Sequence, residues 1–80
     1  MGTKNNPGKF DCYGNAEPDE PMFILLGRDR NAPAAVRAWA YERQQAVNRG
    51  AKPVSDLLMV NEALECAEAM EEFRTKRDAK

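Results

Sequence analysis

At 80 residues, 42% hydrophobic and 31% charged, the chain is sized for one small domain and is too apolar for a disordered tail. It contains no histidine, which excludes Ser-His and Cys-His nucleophile activation and leaves two cysteines as the only soft ligands for a zinc site. With no base-oriented nucleophile in sight, neither an enzyme nor a cofactor or metal is expected.

The net charge of −1 hides a segregation. Acids dominate residues 1–21, bases dominate 22–55, and acids return in 56–80. A basic middle and an acidic end attract each other, or leave a basic face for a partner. A sequence pI near 5.4 argues against duplex nucleic acid. The longest apolar run, Met22 to Leu26, is far too short to span a bilayer, so no membrane partner is expected. No charged-then-apolar segment opens the sequence, so no secretory signal is expected and the default compartment is cytoplasm. "MGTKNN" departs from a myristoylation site at Asn6, where Ser or Thr is wanted. Cys12 and Cys66 are then expected as free thiols.

In chain order, residues 1–21 predict an extended arm. Gly2, Pro7, Gly8, Gly14, Pro18 and Pro21 punctuate it, with Phe10, Cys12 and Tyr13 available to dock on a core. "MFILL" (22–26) reads as a buried strand or a short helical or irregular segment, with a lean to the latter. Residues 22–80 form the small helical domain. Asp29 or Asn31 can cap a first helix over about 33–49, whose first turn holds Pro33. Its apolar stripe is Val36, Trp39, Ala40, the Arg43 stem and Val47. Gly50 terminates it. Ser55 or Asp56 caps a second helix over about 56–77, with the stripe Leu57, Val60, Leu64, Ala67, Met70 and Phe73. The fold class is mostly α: an extended arm, a short apolar segment and an antiparallel αα-hairpin. One stripe per helix makes a thin core, so self-association into a homo-oligomer is expected.

The stretch "GRDRNAP" raises a candidate site. A helix start attracts anions, and Arg28, Arg30, Asn31 and Arg37 surround this one, with arginine forks suited to phosphate oxygens. Tyr41, off the stripe, is the better stacking residue; Trp39 falls on the stripe and reads as core. No glycine-rich phosphate loop accompanies them, and the plainer reading is a capped helix with solvated arginines. Glu17, Asp19 and Glu20 read as a solvated loop rather than a cation site, and the glutamates of the second helix as a solvated face.

"DCYGNAEPDEPMFILLGRDRNAPAAVRAWA" (11–40) and "EALECAEAM" (62–70) resemble a small family of tailed-phage and prophage proteins. Its members pair Asp-Glu-Pro and an "FVLL"-like run with Arg-Asp, Ala-Pro and a "VRAWA"-like helix. The resemblance spans roughly residues 11–75 and carries no activity. It implies a phage accessory protein working in the bacterial host cytoplasm, a type that often binds and disables a host or defence protein. The "VRAWA" helix, the Pro-x-Ser link and "NEALECAEAM" are also similar to the hairpin of phage cyclic-nucleotide sponges that counter CBASS immunity. That similarity implies sequestration of a cyclic nucleotide between subunits by Arg28, Arg30, Asn31, Arg37 and Tyr41. The tryptophan of the sponges' last helix has no counterpart here, where Glu65, Cys66 and Ala67 stand. A structural or regulatory phage component is a third expectation.

Overall fold

The computed structural model describes residues 2–10 and 12–78. Among these residues three α-helices and one short 3-10 turn follow in order: α1 (Cys12–Asn15), α2 (Ala32–Asn48), the turn Val54–Asp56 and α3 (Leu57–Asp78). No strand occurs among the described residues. One turn of helix, α1, interrupts the arm read as extended. It stops short because Pro18 pushes the residue before it out of the helical region.

The start of α2 shows how "GRDRNAP" is used. Pro33 sits in the first turn, where its missing N–H costs nothing. Asn31 takes the cap position but makes no side-chain cap bond. Asp29 does that work instead: its Oδ1 accepts the Asn31 N–H at 2.8 Å, and its carbonyl accepts the Ala32 N–H at 3.1 Å. At the far end Gly50 adopts φ +79°, a conformation that costs any other L-residue. The Gly50 N–H reaches Val47 O at 3.0 Å and the Ala51 N–H reaches Ala46 O at 2.9 Å. These paired bonds are the Schellman closure of a helix.

Entry to α3 differs from expectation. Neither Ser55 nor Asp56 is seen to cap it through a side chain; the 3-10 turn leads into it, with the Leu57 N–H on the carbonyls of Ser55 and Val54. The Asp56 carboxylate turns to Arg43 on α2.

The two long helices pack side by side as an antiparallel hairpin. Arg37 meets Glu71 while Arg43, further along α2, meets Asp56, so the sequence positions run in opposite directions. Among the described residues the buried hydrophobic side chains are all small: Ala32, Ala40, Val60, Ala63 and Ala67, with Val36 packed against the Ala40–Val60–Ala63 cluster. Three stripe assignments need correction: Leu64, Trp39 and Phe73, the last 55% exposed. Ala63 is 1% exposed and Leu64 42%, so the α3 face turns by one residue from the predicted Val60–Leu64 line. Trp39, read as core, is 38% exposed and lies at the rim of α2. Methyl-sized side chains let two helices approach closely, and large ones are then displaced to the edges.

"MFILL" is neither helix nor strand. Phe23, Ile24, Leu26 and Met22 are exposed, while Leu25 is half-buried. The run ends against α3: a β-carbon on Gly27 would lie 3.6 Å from Met70 Cγ and 3.7 Å from Phe73 Cδ1, ordinary contact distances.

The packing fixes two outcomes. Ala63→Leu overfills the helix interface and costs about 1–3 kcal/mol, whereas Leu64→Ala costs less than about 1 kcal/mol, as exposed sites do. Urea unfolding followed by circular dichroism measures both, and the reverse order would contradict the α3 register. Gly50→Ala, forced to positive φ, lowers stability by about 1 kcal/mol in the same assay.

Candidate functional site

The five residues of the proposed anion site are divided by the fold. Arg28, Arg30 and Asn31 lie exposed in the loop that enters α2. Neither Arg28 nor Arg30 forms an ion pair with a described residue. The helix start beside them is already occupied. Asn31 and Ala32 N–H groups both go to Asp29, Pro33 has none, and of the first turn only Ala34 remains to meet an anion. The Asp29 carboxylate stands where the helix dipole favours negative charge.

Arg37 and Tyr41 are one turn apart on the same side of α2. Arg37 is committed to α3: its Nη1 donates to Glu71 Oε2 at 2.8 Å and its Nη2 to Glu71 Oε1 at 2.7 Å. This bidentate pair holds the Glu71 carboxyl below its ordinary 4.5, chiefly through the hydrogen bond, with the charges of Arg37 and Arg74 adding. The same bond raises Arg37, and Glu68 contributes. Next to the pair a shallow groove is lined by Arg37, Asn61, Leu64, Glu65 and Glu68. Leu64 supplies apolar surface in this groove beside Glu65 and Glu68, and Tyr41 (63% exposed) stands one turn along α2 from its Arg37. Three carboxylates oppose a phosphate there; an apolar centre with a charged rim suits a protein.

The opposite edge of α2 carries a second arrangement that the stripe reading missed. The Arg43 guanidinium stacks over the Trp39 ring, 5.3 Å from its centroid, and donates to Asp56 Oδ2 at 2.9 Å. Arg43 and Asp56 are largely covered, so this pair ties the middle of α2 to the 3-10 turn that leads into α3, with the indole on the other side of Arg43. The spacing of Trp39 and Arg43, four apart, was the available signal.

Elsewhere in the arm the Glu20 carboxylate closes a local turn. The Glu17 N–H donates to Glu20 Oε1 at 3.0 Å, and the Glu20 N–H returns to Glu17 O. Cys12 and Cys66 are free thiols, exposed and half-buried respectively. Among the described residues no group of three or more metal-ligating side chains gathers, and no helix is long and apolar enough to cross a membrane. What the surface does offer is apolar area: Tyr13, Met22, Phe23, Ile24, Leu26, Trp39, Tyr41, Val54, Leu58, Leu64 and Phe73 are each more than a third exposed.

No protein-family model, curated protein or solved structure matches the chain.

The Arg37–Glu71 pair sets a pH dependence. Because the folded Glu71 pKa lies below 4.5, its contribution is complete above that value and fades as pH falls through the folded pKa. Thermal unfolding of wild type should therefore lose stability between pH 5 and pH 3 more steeply than Glu71→Gln; parallel slopes would discount the pair.

Proposed function

We propose that this chain is a non-catalytic binding protein that inhibits a bacterial host or defence component by direct protein–protein contact, as its resemblance to phage accessory proteins implies. The supporting observation is the mismatch between core and surface. Among the described residues only Ala and Val are buried hydrophobics, while aromatic and large aliphatic side chains are exposed, the reverse of a self-sufficient monomer. Leu64, beside Arg37, Glu65 and Glu68 in the groove, with Tyr41 exposed one turn along α2 from Arg37, is the surface offered for that contact. Tyrosine, tryptophan and arginine are the residue types that dominate binding energy at protein interfaces.

The test recovers the tagged chain from bacteria. One bacterial protein should co-purify stoichiometrically, indifferent to added nucleotides. Tyr41→Glu combined with Leu64→Glu should abolish it while helicity by circular dichroism stays at the wild-type level. Cyclic-nucleotide sequestration gives the opposite pattern. A cyclic di- or trinucleotide at about 100 times its dissociation constant would add about 2.7 kcal/mol and raise the melting temperature by several degrees. Arg28→Ala with Arg30→Ala would remove that rise. Such a result, with no protein partner, would replace the proposed function.

A further inference from the structure

The run Met22–Leu26 is left unfinished by its own chain. Its residues are bulky and apolar, with Phe23 86% and Ile24 64% exposed. No hydrogen bond joins the backbone of residues 22–25 to any described residue. Unpaired backbone beside β-branched and aromatic side chains is a template for strand pairing. The flanks carry opposite charge: Glu17, Asp19 and Glu20 precede the run, while Arg28 and Arg30 follow it.

We propose that this run pairs antiparallel with the same run of a second copy of the chain, forming a two-fold dimer. Antiparallel pairing brings the acidic flank of each copy against the basic flank of the other, which a parallel arrangement cannot do. A two-fold axis through Ile24 sets residue 24 opposite its own copy, Phe23 opposite Leu25 and Met22 opposite Leu26. Every apolar residue of the run then faces an apolar residue, and Glu20 faces Arg28 at both ends. Pro21 and Gly27 fall opposite each other, and the axis position can leave that pair in a non-hydrogen-bonded site, so the absent N–H of Pro21 is not missed. Alternation places Leu25, half-buried, on one face with Gly27, which lies against Met70 and Phe73 of α3. Phe23 shares that face yet is the most exposed side chain of the run. Beside the partner's Leu25 position it gains the cover its own chain does not give. This surface is separate from the Tyr41–Leu64 flank, so the dimer goes beyond the proposed function and leaves that flank open.

The test is sedimentation equilibrium of the full chain from micromolar to several hundred micromolar. Wild type should dimerise, and Ile24→Asp should be a monomer with wild-type helicity. Glu20→Arg and Arg28→Glu should each weaken dimerisation on the order of tenfold, since two pairs per dimer become repulsive. Combining both reversals in one chain restores opposite charges across the axis and should return the affinity toward wild type. A monomeric wild type at every concentration overturns the proposal. So does a dimer that survives Ile24→Asp, or a double reversal no better than the singles. A monomer that sediments with vesicles of anionic phospholipid would assign the run to a lipid surface instead, again overturning it.

Discussion

The close approach of α2 and α3 over alanine is the constraint on which the rest of this structure depends. Ala40 on one helix meets Val60 and Ala63 on the other, and none of the three leaves room for a neighbour of leucine size. Leu64 and Trp39 are therefore displaced to the rims, and Phe73 lies exposed on α3. A buried methyl is worth only about 0.8 kcal/mol, so such a core contributes modestly against the entropy of ordering. Caps and ion pairs assume a larger share, and the surface retains the apolar area that a larger core would have consumed.

The charge segregation visible in the chain is resolved within the hairpin. Arg37 and Arg43 from the basic middle meet Glu71 and Asp56 from the acidic end. The two pairs differ in setting. Arg37–Glu71 is well solvated, its strength set by bidentate geometry and diminished by salt. Arg43–Asp56 is mostly covered and carries the Trp39 ring on its other side, so removing either partner would leave a charge half-desolvated. Arg28, Arg30, Arg49 and Lys52 are the bases of that middle which this internal pairing leaves over.

Those leftovers bear on function. An anion approaching the start of α2 meets arginines but also the Asp29 carboxylate and a first turn nearly emptied of free N–H groups. A protein approaching the Arg37 flank meets Leu64 beside Glu65 and Glu68, with Tyr41 exposed one turn along α2. Between the two, the second is the more finished surface, and it calls for no chemistry that a histidine-free chain lacks.

Much of the hairpin was legible in the sequence because its signals are local. Pro33 in a first turn and Gly50 after a last turn act through backbone geometry over a few residues, and they place α2 within one residue of the expected bounds. The candidate site was legible only as a neighbourhood of arginines. Which ones are spoken for depends on residues distant in the chain: Glu71 takes Arg37 across 34 positions, while nothing comparable reaches Arg28. The α3 register likewise escaped the periodicity, because Ala63 and Leu64 both satisfy a helical spacing around Val60. The sequence by itself determined where the helices start and stop and that their charges attract. Only the tertiary structure decided that alanine rather than leucine lies between them, because the choice is made by how near the second helix can come.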